Sequence, residues 1–380
     1  MNELLNKKTI KYREKIREFS ETIIKPFAIL QDEKEEFPVE LTRTMGKSGL
    51  FGITLPKKYG GQGLDYLSYI IAVEEIARVD SSPAATIAAH NSLGITPIYV
   101  FGNEEQRVKY LPGLCTGEKL WAFGLTEKNA GSDARGVETE ARNHEGKWII
   151  NGSKMFITNS SSPIASGITL QAITDVKNEK KELSAILVDR DTAGFTSKPI
   201  KGKLMWRAVD NGELQFKNCV VEESNLLGNR GDGMKIMLST LDGGRLSIAA
   251  MGLGLAQGAF EMAIDYSKKR KQFGSSLSGF QSISFKLAEM SVKIELARNT
   301  LYHACRLKDA NLPFARQAAV AKLYCSEIAR EVADESLQIH GAYGLLRENN
   351  IERFYRDQRL LQIGEGTSEI LKMVISRHIL

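Results

Sequence analysis

The chain has 380 residues, of which 42% are hydrophobic and 26% are charged. This composition is that of a globular protein and argues against disorder, and the length is sufficient for two or three domains with a large core. A formal net charge of +5 is small for this length, and basic residues alternate with acidic ones. We therefore expect no nucleic-acid partner.

Four widely scattered cysteines, at positions 115, 219, 305 and 325, have no paired spacing that suits zinc or a redox dithiol. They predict free thiols in a reducing compartment and no metal site. The first eight residues contain no apolar signal core, and no later run of 18 apolar residues would span a membrane. We expect a soluble protein of the bacterial or archaeal cytoplasm, or of the mitochondrial matrix only as a mature form without a transit peptide.

Residues 1–120 have the periodicity of helices. Apolar side chains recur every three or four residues in the stretches 12–27 and 66–77, which is typical of helices with one buried face. A further helix is predicted over residues 84–101, and another is predicted to begin near Asn103 with an acidic first turn. The pattern predicts an N-terminal helical domain.

The periodicity changes near residue 121. The stretch 147–158 predicts two strands around a turn at Asn151 and Gly152, because Asn-Gly supplies the positive φ angles of a tight hairpin,. Further strands are predicted at residues 167–173, 183–188 and 213–221. Together they indicate an inserted β domain, a barrel or a sandwich, over residues 121–231.

From residue 232 the chain is predicted to be helical again. Residues 283–301 carry apolar side chains in alternating steps of three and four, the seam of a long bundle helix,. A helix over residues 243–271 is rich in glycine and alanine, so its neighbours can approach closely. A third helix over residues 315–339 is predicted to end at Gly341. With the last helix there are four long helices, so an antiparallel four-helix bundle is expected over residues 232–380.

One carboxylate stands out near the C-terminus. Glu365 lies between Gly364 and Gly366, where no neighbouring side chain shields it and the backbone can approach a ligand closely,. A helix start is the alternative, with Thr367 or Ser368 as the N-cap residue and Glu369 near the positive end of the helix. These residues alone leave both possibilities open.

Two other segments have the composition of binding loops. Residues 123–133 are rich in small and hydroxyl side chains, which suits either a ligand contact or a plain connection between domains,. Residues 268–274 form a basic helix end followed by Gly274, which complements the helix dipole. Arg270 in that segment could also clamp a phosphate with its planar guanidinium group.

Six ordered segments together resemble the acyl-CoA dehydrogenase family, and the resemblance extends over nearly the whole chain. The segments are Thr126-Glu127 with Ala130-Gly131-Ser132-Asp133, Phe156-Ile157-Thr158-Asn159, Leu241-Asp242-Gly243-Gly244-Arg245, Arg270-Lys271-Gln272-Phe273-Gly274, Gln338-Ile339-His340-Gly341 and Glu365-Gly366-Thr367-Ser368-Glu369. The resemblance implies an FAD enzyme that is mainly α with an inserted β domain. Its N-terminal domain is helical, its middle domain is a β-barrel or sandwich, and its C-terminal domain is a four-helix bundle.

The activity implied by the resemblance is the oxidation of an acyl-CoA thioester to a trans-2-enoyl-CoA. Glu365 matches the catalytic base, which removes the α-proton while the β-hydride passes to flavin N5. Some members place the base immediately before the arginine that matches Arg245, but this chain has Gly244 there, which cannot act as a base. The implied partners are the acyl-CoA and an electron-transfer flavoprotein. An acyl-CoA oxidase, an enoyl-CoA reductase and a non-catalytic acyl-CoA-binding homologue remain as alternatives.

The resemblance also implies which residues hold the flavin and the substrate. The isoalloxazine side comprises Phe123, Leu125, Thr126, Ser132, Phe156, Ile157 and Thr158. The dinucleotide of a neighbouring subunit is contacted by Arg270, Lys271, Gln272, Phe273, Phe280 and Gln281, and on its adenine side by Gln338, Ile339, His340, Gly341 and Ala342. Thr367, Ser368 and Glu369 return to the same cofactor. The substrate contacts are Ser132, Asp242, Gly243, Gly244, Arg245 and Gly366. Such shared sites imply a homotetramer built on the C-terminal bundle.

The chain departs from the family pattern at three places. Lys128 replaces a common proline, and residues 205–209 replace a segment that has glycine and a small polar residue. Gly364 stands where many straight-chain enzymes have tyrosine, and the smaller residue would enlarge the pocket for branched or cyclic acyl groups.

His340 and His90 are interpreted as packing or capping residues rather than metal ligands, because neither is spaced with a second ligand.

Overall fold

The structure, a computed structural model, describes residues 5–380 and consists of helices at both ends of the chain with a sheet between them. This confirms the predicted fold class. The N-terminal helices are α1 (Lys7–Phe19), α2 (Ala28–Lys34), α3 (Val39–Lys47), α4 (Tyr66–Ala77), α5 (Ser81–Ala89), α6 (Thr96–Phe101) and α7 (Glu104–Cys115). Residues 1–4, on which part of the signal-peptide prediction rests, lie outside the described residues.

Local sequence signals explain several helix boundaries. The side chain of Asn103 accepts a hydrogen bond from the backbone N–H of Gln106 at 2.8 Å, and the Gln106 side chain accepts one from the backbone N–H of Asn103 at 3.1 Å. This capping box begins α7 where the sequence predicted it. The helix predicted over 84–101 is instead α5 and α6, joined by a π-helical turn at His90–Ile95. Such turns are rare and often lie at functional sites.

The central part of the chain forms one eight-stranded sheet. Its strands are β1 (Leu120–Gly124), β2 (Glu140–His144), β3 (Lys147–Thr158), β4 (Ala165–Lys177), β5 (Lys180–Asp189), β6 (Phe195–Pro199), β7 (Asn211–Glu222) and β8 (Leu226–Leu227). The order is β6-β7-β3-β2-β4-β5-β8, and β1 pairs in parallel with β4. Three of the predicted strands therefore exist, as β4, β5 and β7.

The hairpin predicted at Asn151-Gly152 is wrong. Residues 147–158 form the single strand β3, and the turn before it lies at Glu145 and Gly146, whose φ angles are 50° and 76°. Gly152 has a φ of 147° and marks a register shift against β7, and a Cβ atom there would lie 2.5 Å from Thr139 Oγ1. The glycine is required by a bulge within the strand, not by a turn.

The C-terminal part is built on three long helices. The helices are α8 (Gly233–Lys269), α9 (Gln281–Asp309), α10 (Ala315–His340), α11 (Ile351–Asp357) and α12 (Ser368–Ser376). The fourth bundle helix, α12, has only nine residues, so the expectation of four long helices is corrected in that respect. Helix α8 begins ten residues before the predicted start, and α10 ends at Gly341, which has a φ of 60° as its predicted role requires.

Helix α8 is apolar on most of its surface because it lies in the core. Its length and composition would allow it to cross a membrane, although the sequence analysis expected no such segment. However, 72% of its most apolar 18-residue stretch is buried inside the protein. A core helix passes the same test, so the finding is weak evidence for a membrane span. One continuous hydrophobic core joins α8 to both helical parts of the molecule, while the sheet has a second core of its own.

Trp206, in the segment 205–209 that departs from the family pattern, anchors the loop in which it lies. Its backbone N–H donates to Asp357 Oδ1 at 2.8 Å, and its indole N–H donates to the Asp357 carbonyl at 3.1 Å. The loop between β6 and β7 is thereby fixed to the end of α11, and burial raises the pKa of Asp357 to about 7. The boundaries proposed at residues 120/121 and 231/232 stay predictions.

Candidate active site

Glu365 lies in the connection between α11 and α12, in a backbone conformation that is uncommon for a residue with a side chain. Its φ is 53°, and the following Gly366 has a φ of 103°. Thr367 Oγ1 then accepts a hydrogen bond from the backbone N–H of Ile370 and begins α12. The predicted cap is confirmed, and it leaves Glu365 just outside the helix, so the two interpretations of this segment are compatible.

The carboxylate of Glu365 lies directly against the backbone of Gly244 on α8. A Cβ atom at position 244 would be 2.0 Å from Glu365 Oε2 and 2.8 Å from its Cδ. The same position is 3.1 Å from a methyl carbon of Leu93, in the π-helical turn. Only glycine at 244 permits this approach, since real Cβ atoms do not come so close to other heavy atoms.

The surroundings of Glu365 make its carboxylate a better base than an exposed glutamate. Its Oε2 atom is buried and has no hydrogen-bond partner in residues 5–380. Burial raises the pKa of Glu365 to about 7, while the cations Lys322 and Arg245 oppose that rise. A buried acceptor without a partner is costly, which indicates that a ligand completes it.

Lys322 is a functional candidate that the sequence interpretation missed. This α10 residue is fully buried, and its ammonium donates to the Gly366 carbonyl at 2.6 Å. Burial lowers the pKa of Lys322 to about 8. The available signal was its position on the apolar face of α10, four residues after Ala318 and three before Cys325, where a lysine is unusual,.

The predicted substrate residues of α8 are Gly244, which this carboxylate contacts, and its neighbours in the chain. Arg245 pairs with Asp242 at 2.6 Å, and the Gly243 carbonyl accepts a hydrogen bond from the Tyr66 hydroxyl at 2.8 Å. The Arg245 Nε atom is buried and has no hydrogen-bond partner in the described part of the chain. The structure therefore brings Asp242, Gly243, Gly244 and Arg245 together with Glu365 and Gly366, as the sequence predicted. Ser132 lies in an exposed loop, and no contact places it at the base.

A second surface forms where the loop after β1 crosses the end of β3. The backbone N–H of Met155 donates to the Thr126 carbonyl at 2.9 Å, and Lys154 pairs with Glu127 at 2.7 Å in the interior. These contacts fix the loop beside Phe156, which is 63% exposed and has a φ of 61°. An aromatic ring held outward in a strained conformation is a feature of ligand-binding sites.

The chain matches three family profiles in succession. Residues 6–118 match the acyl-CoA dehydrogenase N-terminal domain, residues 122–219 the middle domain, and residues 231–380 the C-terminal domain. The protein belongs to the acyl-CoA dehydrogenase family. It is an oxidoreductase, and the family cofactor is FAD, which is present in solved relatives.

Relatives of full length include an acyl-CoA dehydrogenase of Bacillus subtilis, which is 42% identical over 97% of both chains. A short-chain specific acyl-CoA dehydrogenase of Clostridium acetobutylicum is 44% identical over 96% of both chains. A 3-(aryl)acrylate reductase of Clostridium sporogenes is 38% identical over 97% of both.

Solved structures also match over the whole chain. Butyryl-CoA dehydrogenase from Megasphaera elsdenii has a TM-score of 0.96 and 40% identity, with both chains fully covered. A chain from structural work on the electron transferring flavoprotein of Acidaminococcus fermentans has a TM-score of 0.96 and 41% identity, with the same coverage.

The residues at the end of β3 fit the FAD of the acyl-CoA dehydrogenases. Phe156 offers an exposed ring, and the Thr158 hydroxyl is ordered by a 2.9 Å hydrogen bond from Asn211. The side chain of Ile157 points into the core of the sheet, so any contact with FAD must use its backbone. Phe123 is likewise mostly buried. These assignments stay predictions.

The structure separates two of the predicted cofactor segments, residues 270–281 and 338–342, from Glu365, whereas Thr367, Ser368 and Glu369 follow it directly in the chain. Arg270 follows the end of α8, about 40 Å along the helix axis from Gly244 at a rise of about 1.5 Å per residue,. Its guanidinium lies 5.4 Å from the ring centroid of Tyr343, and the His340 ring stacks on Tyr266. The segments that contain Arg270 and His340 therefore meet, but far from Glu365 of the same subunit.

Individual members of these segments differ in how accessible they are. Phe273 is 95% exposed and lies edge-to-face with Phe280, whereas Ile339 and His340 are buried. The Ser368 hydroxyl donates to Glu327 at 2.7 Å, so a contact between Ser368 and FAD would use its backbone. Lys271, Gln272, Gln338, Gly341, Ala342 and Glu369 are exposed.

His90 has the structural role that the sequence indicated. It is fully buried, its Nδ1 accepts a hydrogen bond from the Trp121 backbone N–H at 3.2 Å, and its Nε2 donates to the Leu114 carbonyl at 2.8 Å. Burial lowers the pKa of His90 to about 4, so the ring is neutral. It fastens the π-helical turn, and with it Leu93, to the strand that leads into the proposed flavin surface. Among residues 5–380, no cluster of His, Cys, Asp or Glu suits a metal ion.

Proposed function

We propose that this protein oxidises the Cα–Cβ bond of an acyl-CoA thioester to a trans-2-enoyl-CoA, with Glu365 as the base. The observation that carries the proposal is the buried Glu365 Oε2, which has no hydrogen-bond partner in residues 5–380 and belongs to a carboxyl group with a pKa of about 7. A base in that range combines substantial ionisation at neutral pH with a strong affinity for the proton. FAD, when bound, supplies the acceptor for the hydride from the β-carbon.

The backbone of Glu365 suits the stabilisation of the enolate that forms when the α-proton leaves. Its N–H makes no hydrogen bond within residues 5–380. An unused N–H donor beside the base is available for the thioester oxygen, where negative charge develops in the transition state. Arg245 and Asp242, one turn along α8, are assigned to the CoA portion of the substrate, as the resemblance implies.

The proposed substrate is a short or branched acyl-CoA, and the proposed electron acceptor is an electron-transfer flavoprotein. The short-chain specific and butyryl-CoA relatives support the first assignment, and the electron transferring flavoprotein in the work on a solved relative supports the second. Gly364 also supports a wide acyl pocket, because the space beside it is uncrowded. Even an added Cβ atom would make only an ordinary contact of 3.7 Å with Leu360. The bacterial relatives favour a cytoplasmic protein.

Anaerobic reduction of the flavin tests the proposal. The purified protein should be yellow, and butyryl-CoA or a branched analogue should bleach it. Glu365→Gln should bleach about 10² to 10⁴ times more slowly, because an amide cannot accept the proton. Glu33→Gln, which changes an exposed carboxylate on α2, serves as the matched control. Bleaching by Glu365→Gln at the wild-type rate would show that another group is the base, and a colourless folded protein would favour a non-catalytic homologue.

Reduction of an enoyl compound is the second candidate, because the relative from Clostridium sporogenes is a 3-(aryl)acrylate reductase. The two directions share the same proton transfer at Glu365 and differ in the redox partner. Preferred turnover with an enoyl-CoA and a reduced donor would favour the reductase. Rapid formation of peroxide in air would instead indicate an oxidase.

The proposed assembly is a homotetramer in which Arg270 and Phe273 reach a neighbouring subunit. The separation of about 40 Å between Arg270 and Gly244 along α8 supports a role for this patch at the site of a neighbouring subunit,. A phenylalanine that is 95% exposed also favours burial in an interface,.

A further inference from the structure

We propose that Lys322 is a positioning residue for Glu365: its buried ammonium holds the Gly366 carbonyl and keeps the neighbouring carboxylate ionised and directed toward the substrate. The inference rests on the proposed function of Glu365 as the base. It adds a residue that neither the sequence motifs nor the comparisons assign to the reaction.

The position of Lys322 ties it to the backbone of the base. Its ammonium donates to the carbonyl of Gly366 at 2.6 Å, the residue directly after Glu365. Glu365 and Gly366 both have positive φ angles, of 53° and 103°. A glutamate in the left-handed region persists only when its surroundings impose that conformation. The hydrogen bond from Lys322 is one such constraint, applied at the next peptide group.

Anchoring alone does not explain a charged side chain at this position. The same face of α10 already holds the loop with neutral groups: the Ser326 hydroxyl donates to the Leu361 carbonyl at 2.9 Å, and the Gln362 amide donates to the Ser326 carbonyl at 2.7 Å. Burying an ammonium costs several kcal/mol unless an opposite charge lies nearby. Since a neutral donor would serve the carbonyl equally well, the charge of Lys322 requires a second explanation.

The neighbouring anion is Glu365 itself. Attraction between the two groups raises the pKa of Lys322, and the same attraction lowers that of Glu365, although burial dominates both. The other charged or titratable groups around the pair are Arg245 of α8, Tyr66 and Tyr69 of α4, Glu327 of α10 and Glu369 of α12. The two tyrosines stay protonated because burial raises their pKa. Lys322 is therefore the nearby cation whose charge can be removed without disturbing the Asp242–Arg245 pair.

Two substitutions separate the hydrogen bond from the charge. Lys322→Gln can keep a donor for the Gly366 carbonyl but loses the charge, whereas Lys322→Met loses both. The carboxyl band of Glu365, identified as the band that disappears in Glu365→Gln, is followed by difference infrared spectroscopy against pH without substrate. Both Lys322 variants should move the titration midpoint to higher pH, because a cation that stabilises the carboxylate is lost.

The kinetics should move with that titration. For Lys322→Gln, kcat/KM at neutral pH should fall about 10-fold and the acidic limb of its pH profile should shift upward, since the loss of a nearby opposite charge raises a carboxyl pKa by about one unit or more. Lys322→Met should lose about 100-fold, because the carboxylate is also misplaced. Ser326→Ala is the control. It removes a neutral anchor of the same helix and should lower the melting temperature without moving the midpoint.

The outcomes distinguish three cases. An unchanged midpoint in Lys322→Gln, or an equal shift in Ser326→Ala, would overturn the proposal and leave Lys322 a structural residue. If Lys322→Met does not fold, Lys322→Gln alone decides. If no acyl-CoA reduces the wild-type flavin but the infrared midpoint still shifts, the proposed reaction is wrong while the coupling of Lys322 to Glu365 stands.

Discussion

Glu365 presents two groups to a ligand at once, and its backbone conformation is the reason. The positive φ directs its side chain toward Gly244 while its N–H stays free of protein partners. In the proposed reaction, the proton acceptor and a donor for the developing oxyanion would therefore belong to one residue. Any change that restores ordinary backbone angles at Glu365 should disturb both groups together.

The raised pKa of Glu365 predicts how the rate depends on pH. Only the ionised carboxylate accepts a proton, so kcat/KM should rise as pH increases through the pKa of the free enzyme, near 7,. The cause is burial, which penalises the charged form. Stopped-flow flavin reduction from pH 5 to 9 measures this limb. A midpoint near the ordinary glutamate value of 4.5 would contradict the buried environment described here.

Gly244→Ala should separate substrate turnover from cofactor binding. The added methyl group would overlap Glu365 Oε2, so the carboxylate must move, and a displacement of about 1 Å is expected to slow flavin reduction about 100-fold,. FAD content should remain normal because Gly244 is not part of the flavin surface proposed at the end of β3. Gly113→Ala on α7 is the control, since a Cβ atom there would make only an ordinary contact of 3.4 Å with the Lys119 side chain. Equal effects of the two changes would refute this account of position 244.

The loop beside Phe156 depends on one buried ion pair. Although burial alone would raise the pKa of Glu127, Lys154 and hydrogen bonds from Thr139 and the Glu138 backbone hold it below the ordinary value. Lys154→Met should lower the free energy of unfolding by about 3–5 kcal/mol, because it leaves a carboxylate buried without its counter-charge. It should also weaken FAD binding, since the loop at Thr126 is released.

Urea denaturation and FAD titration measure these two effects. The double variant Lys154→Met with Glu127→Gln is the control and should be less destabilised than the single variant, because no unpaired charge remains. If the single and double variants were equally stable, the loss would come from packing rather than from the buried charge.

Features with local causes could be predicted from the sequence, whereas features that depend on distant residues could not. The helix start near Asn103 and the helix end at Gly341 involve neighbours in the chain, and both were predicted correctly. The turn predicted at Asn151-Gly152 was wrong because the conformation of Gly152 is set by Thr139, a contact across strands that the local pattern does not contain,.

The active site shows the same division. Glu365 was found because a family motif surrounds it, but Lys322 was missed because it is isolated in the sequence and meets the base only after α10 packs against the connection between α11 and α12. Leu93 was missed as a neighbour of Glu365 for a similar reason. The π-helical turn that contains it has the sequence pattern of an ordinary helix,. A lysine on an apolar helix face was the one signal available.

Mixed assemblies should show whether the patch at Arg270 and Phe273 serves a neighbouring subunit. Glu365→Gln lacks the base but keeps the patch, and the double variant Arg270→Ala with Phe273→Ser keeps the base but lacks the patch. Each alone should be inactive or poorly active. Subunits unfolded together and reassembled should regain dehydrogenation, because an intact base would then face an intact patch.

Separately refolded and mixed samples are the control for that experiment, and both are measured by flavin reduction with butyryl-CoA. Activity only after joint reassembly would support a site shared between subunits. No recovery in joint assemblies that bind FAD would mean that the patch acts within its own chain or not at all.

Helix α8 has a consequence for how the holoenzyme responds to dilution. The helix carries Gly244 in its first half and leads to Arg270 just after its other end. If Arg270 completes the FAD site of a neighbouring subunit, as proposed, cofactor binding and subunit association are coupled through this one rigid helix. Binding linkage is reciprocal: FAD should tighten the assembly, and association should tighten FAD. The apparent FAD affinity should therefore fall as the protein is diluted, and added FAD should restore the oligomer without any change in the fold of the single subunit.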